Sequence, residues 1–304
     1  MPENLGLVFR IFTQKYDRKI KEDIEVSDEN RSMWPEILQF LTFKMTLGNE
    51  ATEILVAISQ WRAREIIEKY LNGHGSVNSK QTAQQILTEL LKHHLIQKRT
   101  DNQIEFRHQL IQEYYVAESL QARQAEFLHD EKPLKRRYLN YLKWTEPLHL
   151  FLGLMSEYDS LNAMKLIETA LSVDLQMGAK LSGALTEKLQ SQVAKLISMS
   201  NLSWSLEIHL LTLTKSKEAV LKCSSALSSK DAALRRKASE TLVNIDNTPA
   251  VVPALILALN NKDQFVRRKA ASALGNYGKE ITTDDWNLAL NNKDSFVRDR
   301  AVDS

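Results

Sequence analysis

The sequence predicts a mainly α-helical protein with one small β element, and three observations lead there. Apolar residues recur at helical spacing nearly throughout the 304 residues, and only 9 Gly and 6 Pro interrupt them. A pattern with a period of about thirty residues repeats in the C-terminal third. One short stretch breaks the helical spacing with two β-type runs joined by turn residues.

Taken in order, residues 1–50 read as a helical domain. Helical segments follow around 52–70 and 79–93. "LIQKR" (Leu95–Arg99) and "QIEFR" (Gln103–Arg107) then read as short strands, with "TDN" (Thr100–Asn102) as the hairpin turn, and another helix starts near 109. Helices leading into a two-stranded wing are the outline of a winged helix, here at 51–130. Residues 131–200 read as a helical connector and 201–304 as an α-solenoid.

The solenoid rests on three related units, "ALSSKDAALRRKASETL" from Ala226, "ALNNKDQFVRRKAASAL" from Ala258 and "ALNNKDSFVRDRAVDS" from Ala289. Asp231, Asp263 and Asp294 recur at steps of 32 and 31 residues, with Arg235, Arg267 and Arg298 in phase. Two helices per unit fit this period. The Asp is placed to cap the second helix, and the Arg to pair with its own or an adjacent unit's carboxylate. Leu234, Ala238 and Leu242, like Val266, Ala270 and Leu274, lie at helical spacing to face neighbouring helices. Back-projecting the period puts Leu202, Leu206 and Leu210 on the positions of Leu234, Ala238 and Leu242, which suggests a worn unit before the clear ones. The chain stops at Ser304 inside the second helix of the last unit, so that repeat reads as incomplete. Phe265 and Phe296 fall at equivalent positions after the inter-helix turn and are candidate partner-binding residues.

Composition narrows the function classes. Forty Lys and Arg against 38 Asp and Glu give a net charge of +2, which supplies no global electrostatic case for nucleic acid or an anionic membrane. The longest apolar runs fall well short of the ~20 residues that span a bilayer. The N-terminus lacks the pattern of a secretory signal. The one cysteine, Cys223, permits no intramolecular disulfide and suits a reducing compartment, so the expectation is a cytoplasmic protein. By the repeat period Cys223 aligns with Leu255 and Trp286, as a core residue would.

No H-E-x-x-H or G-x-S-x-G occurs, and His93 and His94 diverge on a helix, so neither a metal nor a hydrolase site is expected. The expected helix "SKQTAQQILTELLKHHL" is poor in basic residues for a DNA reader, although Lys92, Lys98 and Arg99 lie near the wing. "RRK" at 235–237 and at 267–269 stack in register as a basic stripe.

The repeats resemble the HEAT family through "KDQFVRRKAASAL" at 262–274 and its two relatives. The resemblance implies a curved stack of helix pairs with a surface for protein partners. Three further blocks, "NLGLVFRIFTQKYD" at 4–17, "FRHQLIQEYYVAESL" at 106–120 and "YLNYLKWTEPLHLFLGLM" at 138–155, resemble the region after the nucleotide-binding core of bacterial, especially cyanobacterial, NACHT-type signalling NTPases. That family places a helical domain, a winged helix and then repeats after its NTPase, which is the order read here. It implies that His108, in "FRHQLIQE", approaches the phosphates of bound ADP.

The sequence departs from the family at the decisive point. It has no G-x-x-x-x-G-K-[ST], and its Gly278-Lys279 pair is followed by Glu280. His108 is therefore either structural, satisfied by backbone or a Glu, or a sensor for ATP or ADP held by another polypeptide. The expectation is a non-catalytic regulatory module without a cofactor of its own, with a protein partner such as a split P-loop NTPase. The alternatives are a HEAT-type accessory subunit of an enzyme such as the bilin lyases of cyanobacteria, and a winged-helix DNA binder.

Overall fold

A computed structural model of the chain describes residues 6–13, 15, 28–245, 251–275 and 281–303. The Gly278-Lys279 pair, and positions 4, 5, 14, 16 and 17 of the first resemblance block, lie outside the described residues. Among the described residues the chain is mainly helical with one three-stranded sheet, and it divides into two compact units, Met1–Leu189 and Gln190–Ser304.

In the first unit, α1 (Trp34–Leu47) starts with Pro35 in its first turn, where a missing N–H costs nothing. It stops at Gly48, whose φ of 68° suits glycine; a Cβ there would lie 2.8 Å from the Glu53 carbonyl oxygen. Lys143 Nζ donates to the carbonyls of Leu47 (2.7 Å), Glu50 (3.3 Å) and Glu53 (2.8 Å), and so ties down the helix end and the loop after it.

The sheet holds β1 (Ala57–Ser59), β2 (Ile96–Lys98) and β3 (Gln103–Phe106) in the order β1-β3-β2, with both pairings antiparallel. Ile58, Ile96, Ile104 and Phe106 point inward and are buried, while Gln97 and Glu105 pair on the other face (2.7 Å). Asn102 supplies the left-handed residue of the turn between β2 and β3, at φ 61°. Between β1 and β2 lie α2 (Gln60–Gly73), capped by Ser59 Oγ accepting from Arg62 N–H (3.2 Å), and α3 (Ser79–Lys92).

This corrects two expectations. Residues 57–59 are a strand and not the start of a helix at 52, and the hairpin is part of a three-stranded sheet. A short apolar run such as "ILVAIS" fits either state, and pairing with β3 decides it.

The helix after β3, α4 (Gln109–Ala122), packs against α1 on one side and α5 (Thr145–Ser156) on the other, so it is buried nearly all round. Its buried polar groups are engaged: Gln112 Nε2 donates to the Leu55 carbonyl (3.2 Å), and Glu113 accepts from Gln109 Nε2 (2.8 Å). Short turns over 125–144 carry Phe127, Tyr138 and Trp144, which close an aromatic cluster with Phe43 and Phe151 at ring separations of 4.8–5.9 Å. α6 (Ser160–Val173) and α7 (Leu175–Ser182) complete the first unit, and α8 (Glu187–Met199) carries the division between the units.

The second unit continues with α9 (Trp204–Leu213) and three helix pairs: α10 (Lys217–Ala226) with α11 (Ala232–Asn244), α12 (Val251–Ala258) with α13 (Gln264–Leu274), and α14 (Thr283–Leu290) with α15 (Ser295–Asp303). Second helices stack on second helices, α11 on α13 and α13 on α15, and α10 stacks on α12. Each unit thereby buries its apolar face against the next. Ala238, Leu242, Val266, Ala270 and Leu274 are buried and Leu234 is half-buried.

The back-projection needs a correction. Trp204 precedes Ala232 by 28 residues rather than 32, so α9 runs four residues out of the expected phase. Leu206, expected to be buried like Ala238, is 41 % exposed, whereas Leu210 and Thr214 are fully buried.

Candidate functional site

Two places combine organised polar groups with an accessible surface, one in each unit. The first is built on the turns inside the helix pairs. Asp231, Asp263 and Asp294 sit at the caps of α11, α13 and α15, and each Oδ1 accepts from the N–H two residues on, at 2.8, 2.9 and 3.2 Å. The arginine four residues later folds back over its own turn. Arg235 Nη1 donates to the carbonyls of Ser229 (2.9 Å) and Lys230 (3.0 Å), Arg267 Nη1 to Asn261 (3.0 Å) and Lys262 (3.3 Å), and Arg298 Nη1 to Asn292 (2.7 Å).

The other guanidinium nitrogen reaches the carboxylate of the following unit. Arg235 Nη2 lies 3.7 Å from Asp263 Oδ2, and Arg267 Nη2 lies 2.8 Å from Asp294 Oδ2. Of the two pairings the sequence left open, the structure shows the one to the adjacent unit. Burial raises the Asp263 and Asp294 carboxyls, but hydrogen bonds from Arg236 and Phe265 N–H in one case, and from Arg267 and Phe296 N–H in the other, outweigh it and hold both below the ordinary carboxylate value.

A second ladder escaped the sequence reading. Two residues before each Asp, Ser229, Asn261 and Asn292 accept from the Asp N–H at 3.1, 3.0 and 3.0 Å. Asn261 Nδ2 also donates to the Leu227 carbonyl of the preceding unit (2.7 Å), and Asn292 Nδ2 to that of Leu259 (2.9 Å). The signal was present in "SSKD", "NNKD" and "NNKD".

On the outer side of this ladder, Phe265 and Phe296 are half-buried rather than open. Arg236 and Lys269 lie over Phe265 (5.8 and 5.6 Å to the ring centre), and Arg268 and Arg300 over Phe296 (5.3 and 5.8 Å). In both places one cation comes from the preceding unit and the other from four residues along the same helix. The basic stripe is thus threaded with aromatic rings, a composition suited to protein contacts.

The second place is a cleft of about 310 Å³ in the first unit. Trp34, Leu38, Ile111 and Tyr114 give it apolar walls, and Arg107, His108 and His94 lie along it. Arg10 also lines it, but is held by Glu118 Oε1 (3.4 Å) and Gln121 Oε1 (2.7 Å). Glu118 gathers Tyr114 Oη (2.6 Å) and Gln39 Nε2 (3.1 Å) as well. His108 stands at the cap position of α4 with extended backbone, its side chain exposed and making no capping bond. The expected satisfaction of its side chain by backbone or a Glu is not found among the described residues.

His93 and His94 do not share a helix face. His93 ends α3, is buried and packs on Trp34 (5.4 Å), while His94 turns away at φ 54°. Among the described residues, no group of three or more His, Cys, Asp or Glu side chains is arranged to hold a metal ion. Cys223 is buried, and burial pushes its thiol up to about 12. Arg99 of the β2–β3 hairpin is turned to Asp101 (3.8 Å) and Glu105 (3.4 Å). The exposed basic residues of α3 are Lys80 and Lys92, a small footprint for phosphates. Among the described residues, no helix is long and apolar enough to cross a membrane.

Residues 220–304 match the family model of HEAT repeats, a match that begins within α10 and takes in α11 to α15 and the whole of the Asp–Arg ladder. No curated protein matches the chain.

Proposed function

We propose, for a chain that contains HEAT repeats over residues 220–304, a helical module of the protein-interaction kind, the role of a non-catalytic regulatory and sensor module of a NACHT-type signal-transduction ATPase. It binds a protein partner through the repeat surface. The observation that carries the binding role is the pair of rings, Phe265 and Phe296, each set between two cations along the stack. Aromatic and arginine side chains held in place by neighbours supply contact area at little entropic cost, which is the make-up of interface hot spots.

The NACHT assignment is supported by the order of elements in the first unit. Helix, strand, two helices and two strands are the order of a winged helix, and the three sequence blocks that resemble the family lie in and around it. His108 begins the helix after the last strand. The nucleotide it would meet is one held by a P-loop NTPase core outside residues 1–304, which carry no P-loop signature themselves.

The test is affinity capture with the full chain from extract of its own cells, with and without added ADP, compared with a Phe265→Ala/Phe296→Ala double variant. The expected result is a P-loop NTPase retained by the unaltered chain and lost with the variant. Partners that never include such an NTPase overturn the NACHT assignment. Retention indifferent to the double substitution overturns the role of the ring surface.

A further inference from the structure

The cleft of the first unit has a chemistry of its own. We infer that it binds a small amphipathic monoanion, an aliphatic or aromatic carboxylic acid, with the carboxylate at Arg107 and the apolar body against Phe12, Leu95 and Ile111.

The charge count along the cleft comes first. Arg10 and Glu118 offset one another through their contact at 3.4 Å, so neither is available to a ligand. Arg107 is exposed and has no ion-pair or hydrogen-bond partner among the described residues. One guanidinium therefore remains to be matched, and its fork fits a carboxylate by two parallel hydrogen bonds. His94 and His108 add ring N–H groups that can donate to the same oxygens. A single free cation suits a monoanion better than a diphosphate.

The walls give the rest of the ligand. Phe12 is 52 % exposed and Leu95 and Ile111 are half-buried, so these three offer the apolar contact, with the buried Trp34, Leu38 and Tyr114 behind them. The volume of about 310 Å³ is at the small end of ligand sites, roughly ten water-sized groups. That accommodates an acid with a chain or ring of about eight carbons.

The test is titration calorimetry of the full chain with octanoate, 3-phenylpropanoate, 1-octanol and ADP. One of the acids is expected to bind with one-to-one stoichiometry, and preference between octanoate and 3-phenylpropanoate decides whether the natural ligand is aliphatic or aromatic. Octanol is expected to bind at least ~10-fold more weakly, and Arg107→Ala to weaken the preferred acid by ~10-fold or more, with Arg107→Lys retaining part of the affinity. Arg107 is on the surface, so its variants are expected to fold and keep the test decisive. Octanol binding as tightly as octanoate, an affinity indifferent to Arg107→Ala, no binding of either acid, or ADP binding more tightly than both acids would each overturn the inference. None of these outcomes bears on capture of a partner by Phe265 and Phe296, so this site and the repeat surface fail separately.

Discussion

The two units satisfy their buried polar groups in opposite ways. In the repeats each contact is made again one unit along: a cap, an arginine brace, an asparagine cross-tie and a cation over a ring. In the first unit each is made once, as with Lys143 on three carbonyls, Gln112 on the Leu55 carbonyl, or Glu118 gathering Arg10, Gln39 and Tyr114. The repeated contacts join neighbours, so losing one uncouples everything beyond it. The single contacts fix one local geometry, and their loss is expected to stay local.

The largest test of this contrast is Arg267→Ala. Arg267 and Asp294 are buried and meet at 2.8 Å, and removing the arginine leaves a carboxylate out of water with Arg268 at 3.6 Å as its remaining ion-pair contact. The expected loss is about 3 kcal/mol, read by denaturant unfolding. Hydrogen exchange should show α14 and α15 losing protection before α10 and α11. Arg235→Ala is expected to cost less, about 1–2 kcal/mol, because Arg235 sits 3.7 Å from Asp263 while Arg236 holds that carboxylate at 3.0 Å. Equal costs would show that the ion pair between units is not what couples them.

A smaller effect is expected at the cross-tie. Asn292→Ala removes the donor to the Leu259 carbonyl and the acceptor for Asp294 N–H, both buried, for about 2 kcal/mol. Asn292→Ser, which copies Ser229 of the first repeat, should keep the acceptor and recover about half of that. If Asn292→Ser is as damaging as Asn292→Ala, the cap-side bond contributes little and the cross-tie carries the effect.

The contrast also explains what could be read from the sequence. The period, the aspartate caps and the hairpin between Leu95 and Arg107 were legible because each is a local pattern, and the period is printed three times. Strand β1 was not, since three residues ahead of a helix show no alternation that distinguishes them. Nor was the phase of α9, because its step is four residues short. The cleft needs Arg10, Trp34, Arg107 and Tyr114, residues about a hundred positions apart brought together by helix packing, and no spacing rule connects them. His108 stood out only through resemblance, and the sequence alone could not tell whether its side chain was bound or open.

The smallest expected effect separates the units by pH. Burial lowers the pKa of His93, with Lys92, Arg31 and His94 adding to it and Glu89 opposing. The unfolded chain therefore takes up a proton below about 6.5 that the folded chain resists, and stability should fall as pH drops through that value. Glu113 acts in the opposite sense, because burial raises its carboxyl, so the folded state gains on the unfolded one as pH falls toward 4.5. Asp263 and Asp294 lie below their ordinary value and withdraw stability only when pH falls under about 3.8. Hydrogen exchange between pH 7.5 and 5.5, corrected for intrinsic rates, should accordingly show α1 and α3 losing protection while α11 and α13 hold theirs. His93→Gln should flatten the response in α3 alone. A parallel decline in both units, unchanged by that substitution, would place the near-neutral sensitivity elsewhere and remove the contrast in pH response.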